Sequence, residues 1–417
     1  MTRFTLLGVF ALSVLVALAS SLYRTQVTIQ MIKHETDSDA NLNTKQLIEK
    51  RGYAVETHNV TTADRYVLTM YRIPKSFDET QANVPAAPNK PAVYLIHGVL
   101  DSSITYVVNF RTQSLPFLLA DAGYDVWLGN NRGTPYSRGH LDFTTEDDEF
   151  WDFTFEDMAE FDLPAMISYV LQVSSRPMLS YVGHSEGTMQ AFAGFSMNQE
   201  IAKKVSYFGA LAPVAYTGGT TSRVFQTLAN TYFDKLTDLL GVKEFLPSAP
   251  FLQGIVVKYG CAFVDVACDS LLNGLMGPSV NINETRVHMY VSHMPTSTSV
   301  KNVGHFAQGI RDNTFRHFDY GCSCSKSNKQ VYGAFEPPTF DLGKMKYPRT
   351  SFFTGEQDWL ATAGDIAKLR KELPAGTIVS ETKVAYNHID FTWAFNAGEV
   401  LYAKLIAEIK LYEGKGY

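Results

Sequence analysis

The sequence predicts an α/β architecture: a mostly parallel central sheet with helices on both faces, carrying an inserted cap. Three observations predict it. Short, continuously apolar runs such as Ala92-Val93-Tyr94-Leu95-Ile96 have the pattern of strands buried on both faces. These runs alternate with stretches of helical periodicity, as in a sheet whose parallel strands are joined by helices. The alternation stops between residues 217 and 344 and then resumes, which marks an insertion.

The elements follow in order. The segment from Lys33 to Lys50 is polar, with Asn43 placed to cap a helix. Tyr66 to Ile73 is rich in β-formers and alternates, so it is expected to be a strand. Residues 74–91 contain Pro74, Pro85, Pro88 and Pro91 and are expected to form an exposed loop. Strands are then expected at 92–96, 125–128, 179–183 and 206–211, with helices at 116–122, 156–173 and 188–197. Pro164 is an obstacle within the second of these helices. After the insertion come a strand at 351–354, a helix at 365–373, a strand at 376–384 and a terminal helix at 395–412.

The N-terminus has the pattern of a cleaved leader. Arg3 precedes an almost wholly apolar run from Leu6 to Ala19, and Ala17-Leu18-Ala19 supplies small residues for cleavage. That run is shorter than the ~20 residues that span a bilayer. No later segment resembles a span, so no transmembrane anchor is expected in the mature chain. The expected divisions are a signal peptide at 1–19, a first core part at 20–216, a cap or lid insertion at 217–344 and a second core part at 345–417. A leader implies a secreted or lysosomal protein. Two sequons agree with that route, with Asn59 and Asn283 as glycosylation acceptors.

Composition narrows the partners. A net charge of -6 gives no electrostatic basis for binding nucleic acid. Aromatic residues make up 13% of the chain, which serves either a large core or an apolar ligand surface. The four cysteines allow three full pairings, of which Cys261 with Cys268 is the simplest choice, closing a small loop and leaving Cys322 and Cys324. Cys322-Ser323-Cys324 has no His/Cys set at zinc spacing beside it, so no metal site is expected.

The chemistry is concentrated at Gly183-His184-Ser185-Glu186-Gly187, a G-x-S-x-G pattern. It follows an apolar strand and opens a helix. In that context the serine tops a sharp turn and its hydroxyl is thrust above the sheet edge, the nucleophile elbow of an α/β-hydrolase fold. Such a serine needs a base, and the base needs an orienting carboxylate, in the chain order Ser, acid, His. Asp358 follows the strand at 351–354, and His388 follows the strand at 376–384, in that order. Ser185 is therefore the expected nucleophile, His388 the general base and acid, and Asp358 the group that orients it. His288, His293, His305 and His317 all precede Asp358 and fall out of order, and His184 is expected to pack behind the elbow. Two backbone N–H groups should form the oxyanion hole, one from Glu186 and one from Val99 in the loop His97-Gly98-Val99-Leu100. This chemistry requires no cofactor.

Longer runs carry a family resemblance. Leu95-Ile96-His97-Gly98, Asp121 to Asn130, Arg132-Gly133, Tyr136-Ser137-Arg138, Glu149-Phe150-Trp151 and Tyr386-Asn387-His388-Ile389-Asp390-Phe391 resemble the acid lipases, the family of gastric and lysosomal acid lipase. The resemblance extends from about Gln46 to Leu411. It implies a cap with a mobile lid, a lipid ester as substrate at a lipid–water interface, and hydrolysis of triacylglycerols or cholesteryl esters at acidic pH. Phe251, Leu252, Ile255, Val256 and Val257 suit either the lid or the packed core of the cap.

The chain also departs from the family. Glu186 stands where the family has Gln, and an ionised carboxylate beside a developing oxyanion is unfavourable. Protonation of Glu186 is accordingly expected to favour activity at acidic pH. Asp64-Arg65-Tyr66 replaces Asp-Gly-Tyr at a hairpin turn, and Cys322-Ser323-Cys324 has no family counterpart. Three other functions share part of the pattern: a carboxylesterase of small esters, a non-catalytic lipid carrier and a serine peptidase.

Overall fold

A computed structural model describes residues 39–232, 241–246, 273–322 and 326–417. The expected leader, Cys261, Cys268, Cys324 and the apolar run from Phe251 to Val257 lie outside the described residues; Cys322 is exposed.

In chain order the strands are β1 (Glu56–Thr61), β2 (Tyr66–Ile73), β3 (Ala92–Ile96), β4 (Asp125–Gly129), β5 (Gly139–His140), β6 (Leu179–His184), β7 (Val205–Leu211), β8 (Glu244–Phe245), β9 (Thr298–Ser299), β10 (Thr350–Gly355) and β11 (Ile378–Val384). The main sheet runs β1-β2-β4-β3-β6-β7-β10-β11, with β5 paired to β2. From β4 to β11 every pairing is parallel, and β1 and β2 run antiparallel at one edge. β3, β4, β6 and β7 are buried at every position, which is why they appear in the sequence as unbroken apolar runs. β1 is mostly exposed, has a polar sequence, and is ordered by its register with β2, so no local pattern announces it.

Register brings the ends of the parallel strands together. Ile96 pairs with Gly183, His184 with Leu211, Leu211 with Phe353, and Gly355 with Val384. The loops that leave these strands therefore emerge along one rim, the usual location of a site in an open parallel sheet.

Local chemistry explains the helices. Asn43 caps Thr44–Lys50 through a capping box with Gln46. The helix expected over 156–173 is divided: a π-helical turn at Met158–Asp162 precedes an α-helix at Leu163–Ser174. Pro164 comes just after that π turn in a continuous helical run, and the turn accommodates its missing N–H. The terminal helix begins later than expected, as a π turn at Gly398–Tyr402 that continues into Ala403–Tyr412. Phe395 donates its N–H to the Asn281 carbonyl instead, and Ala394 bridges to Ile282, so the chain cannot coil there. At the altered hairpin, Arg65 has φ +77°, a conformation that glycine adopts without strain. Its neighbour Asp64 pairs with the buried Arg132 at 2.7 Å, and Arg132 also binds Asp162 at 2.5 Å.

Between β7 and β10 the described residues add no strand to the main sheet. They form the β8–β9 pair and helices at Arg223–Asn230, Val287–His293 and Val300–Asp312.

Candidate active site

β6 delivers Ser185 to the rim. Ser185 has φ +53° and ψ −116°, a sparsely populated conformation for a side-chain-bearing residue, between the strand and the helix Glu186–Met197. Close approach requires the two glycines. A Cβ on Gly183 would lie 2.5 Å from the Gly187 carbonyl oxygen, and one on Gly187 would lie 2.7 Å from that of Ile96. Thr188 secures the turn, donating its hydroxyl to the Ser185 carbonyl at 2.6 Å and accepting the Val214 N–H at 2.8 Å.

Three side chains meet there. His388 Nε2 lies 2.7 Å from Ser185 Oγ, and His388 Nδ1 lies 3.0 and 2.9 Å from the two oxygens of Asp358. All three residues are buried. The Asp358 carboxylate can only accept, so Nδ1 carries the ring proton and Nε2 offers a lone pair to the serine hydroxyl. The carboxylate is held in turn by the N–H groups of Leu360 and Ala361, both at 2.8 Å. His184 does pack behind the elbow, and it has a partner there. Its Nε2–H donates to the His388 carbonyl at 2.8 Å, which ties the His388 loop to the elbow. Burial, reinforced by the neighbouring His388, pushes the His184 pKa down to about 3 and keeps the ring neutral.

The loop after β3 closes the other side. A Cβ on Gly98 would lie 3.0 Å from Ser185 Cβ and 3.4 Å from Oγ, so this loop abuts the Ser185 side chain. Asn131 donates its N–H to His97 Nε2 at 3.1 Å, which leaves Nδ1–H to donate to the Gly98 carbonyl at 2.8 Å. Burial lowers the His97 pKa to about 4. Leu100 has φ +57°, and its carbonyl accepts the Thr296 N–H at 2.7 Å. Val99 thus lies between two fixed neighbours, Gly98 and Leu100.

Glu186 opens the helix with its side chain buried. Asn302 Nδ2 donates to Glu186 Oε1 at 2.6 Å, while Asn302 Oδ1 accepts the Phe155 N–H at 2.8 Å, which determines the orientation of the amide. Burial pushes the Glu186 pKa up to about 7; the Asn302 hydrogen bond opposes the shift and Asp162 reinforces it.

Two features of the site had no usable signal in the sequence. Asn387 and Asp390 form a reciprocal cap around His388: Asn387 Oδ1 accepts the N–H groups of Ile389 and Asp390, both at 3.0 Å, and Asp390 Oδ2 accepts that of Asn387 at 2.9 Å. Contacts from Met276–Asn281 to this loop join residues about a hundred positions apart. The histidines out of order have other partners: His305 stacks on Phe155, and His317 lies beside Glu156 and Phe340. Among the described residues, no group of three or more His, Cys, Asp or Glu could hold a metal, and no helix is long and apolar enough to cross a membrane. Asn59 is exposed on β1 and Asn283 is partly exposed.

Comparison with known proteins adds independent findings. A family model described as the alpha/beta hydrolase fold matches residues 91–389, and one described as a partial alpha/beta-hydrolase lipase region matches residues 44–110. The human lysosomal acid lipase/cholesteryl ester hydrolase is 36% identical over 380 residues, covering 90% of this chain and 93% of that protein. The gastric triacylglycerol lipase of Bos taurus is 37% identical over 372 residues, covering 88% and 91%. A crystal structure of a candidate lipase from Sulfolobus solfataricus shares the fold with a TM-score of 0.52 at 12% identity, covering 85% of this chain and 99% of that one.

Proposed function

Because the chain belongs to the α/β-hydrolase family, among the acid lipases, and is an ester hydrolase, we propose that it cleaves neutral lipid esters through an acyl-enzyme formed on Ser185. Triacylglycerols and cholesteryl esters, the substrates in the names of its relatives, are the proposed class, cleaved at acidic pH. The observation that carries the reading is the unbroken relay Asp358–His388–Ser185, with contacts of 2.9 and 2.7 Å, at the apex of a strained elbow.

In this mechanism His388 Nε2 takes the hydroxyl proton as Ser185 Oγ bonds to the ester carbonyl carbon. The imidazolium that forms is stabilised by Asp358. The carbonyl oxygen becomes an oxyanion facing the N–H groups of Val99 and Glu186. The intermediate collapses, the bond between the acyl carbon and the alkoxy oxygen breaks, and His388 passes its proton to the leaving alcohol. A water molecule, deprotonated by His388, then releases the fatty acid and restores the serine. No metal or cofactor enters any step.

The route is secretory or lysosomal, as the leader-like residues 1–19 and the lysosomal and gastric relatives suggest. Asn59 and Asn283 are the proposed glycosylation sites. The insertion is proposed to cap the site.

The test is fatty-acid release from emulsified long-chain triacylglycerol between about pH 4 and 8, comparing wild type with Ser185→Ala. Release that is greatest at acidic pH and absent in the variant is expected. Activity confined to short soluble esters would make the protein a carboxylesterase, and release by Ser185→Ala would overturn the nucleophile.

A further inference from the structure

We propose that the insertion segment Met276–Asn281 is a positioning element for catalysis, with Ser279 and Asn281 holding the His388 loop in place through the Asp390 carboxylate. The inference rests on the triad reading above and assigns the insertion a task distinct from covering the site.

The segment reaches both halves of the relay. The Met276 carbonyl accepts the N–H of Trp359, next to Asp358, and that of His388 itself, each at 3.3 Å. The Gly277 carbonyl accepts Asn387 Nδ2 at 2.7 Å. Gly277 has φ +103°, and any Cβ there would overlap the Gln357 carbonyl oxygen, so the segment presses directly on the acid loop. Ser279 Oγ donates to Asp390 Oδ1 at 2.6 Å, and Asn281 Nδ2 donates to Asp390 Oδ2 at 3.0 Å. Asn281 Nδ2 also lies 3.2 Å from the Ala385 carbonyl, and Asn281 Oδ1 accepts from Asn396 Nδ2 at 3.1 Å.

The backbone of the base is therefore held at two points. Its carbonyl is fixed from the elbow by His184, and its N–H from the insertion by Met276. Asp390 is completely buried; loss of Ser279 removes the donor to Oδ1, and loss of Asn281 leaves Oδ2 with the Asn387 N–H alone, so each weakens the satisfaction of a buried carboxylate. That strain falls on a loop whose third member is the general base. Neither Ser279 nor Asn281 has a hydrogen bond to Ser185, His388 or Asp358 side chains among the described residues, so any effect on turnover passes through Asp390 and its loop.

The experiment uses the full chain with Ser279→Ala, Asn281→Ala and Ser279→Thr, and Ser185→Ala alongside. Steady-state hydrolysis of soluble p-nitrophenyl butyrate removes any contribution from a lipid surface, and the rate of serine labelling by a fluorophosphonate probe reports the Ser185–His388 pair directly. Both alanine variants are expected to lose about tenfold in kcat and in labelling rate with KM little changed, and Ser279→Thr to recover most of the loss. A folded Ser279→Ala enzyme with wild-type kcat and labelling rate, even at lower Tm, would reduce the segment to a structural role and overturn the proposal. Turnover by Ser185→Ala would instead bring down the triad reading on which the proposal stands.

Discussion

The two sides of the site are built by different means. The nucleophile side is set by backbone sterics within a few consecutive residues. Gly183, Ser185 and Gly187 form a turn in which an added Cβ would strike main-chain atoms, and the loop at Gly98 packs against it. The acid and base side depends on side-chain hydrogen bonds from distant parts of the chain: Ser279, Asn281, Asn387 and Asp390, joined across more than a hundred residues. A steric site is all-or-none and local. A hydrogen-bonded site is graded, and its parts can be detuned separately.

The largest expected effect separates chemistry from architecture. Asp358→Asn preserves the shape of the side chain, but its amide can donate to His388 Nδ1 and stabilise the wrong tautomer. A loss in kcat of about 10⁴-fold with little change in Tm is expected, measured on a soluble ester and by thermal melting. A comparable fall in Tm would place Asp358 in the scaffold instead.

Gly187→Ala inverts that pattern. The added methyl group meets the carbonyl oxygens of Ile96 and His97 at 2.7 and 2.9 Å, atoms of β3 and its loop that cannot swing aside. Destabilisation of about 2–3 kcal/mol is expected, with activity lost in step with the folded fraction. A variant that melts with wild type and turns over normally would show that the elbow is not sterically determined.

The last expected effect appears only across a pH range. Burial raises the Glu186 pKa to about 7, above its ordinary value of 4.5. Between these values the unfolded chain has released the proton and the folded chain retains it, so the fold loses stability as pH rises through this window, by at most about 3 kcal/mol. Glu186→Gln has no proton to lose. Its Tm should match wild type near pH 4 and exceed it near pH 8, and the alkaline limb of its activity should extend to higher pH. Parallel melting curves and superimposed activity profiles would dispose of any role for Glu186 protonation.

The same contrast explains what the sequence revealed. The elbow, the parallel strands and the order Ser185, Asp358, His388 are legible because each is a local pattern or a simple succession. β1 is not legible in the sequence because an exposed edge strand such as Glu56–Thr61 carries no apolar run. The interruption of the 156–173 helix was marked by Pro164, but the π-helical turn that accommodates the proline has no sequence signature of its own. Asn281 carries no signal in the sequence, since the meaning of its side chain depends on Asp390, far along the chain. Arg65 did register as a departure from the family, and its positive φ gives that departure a physical form.

The position of β10 and β11 at the end of the sheet order also bears on biosynthesis. A ribosome releases the chain from its N-terminus, so β3, β4, β6 and β7 can pair with one another while β10 and β11 are still unmade. The serine is then present in a nascent sheet that has no base, because His388 emerges only in the last tenth of the chain. The contacts that join Asp358 and His388 to Ser185 can therefore form only when synthesis is nearly complete.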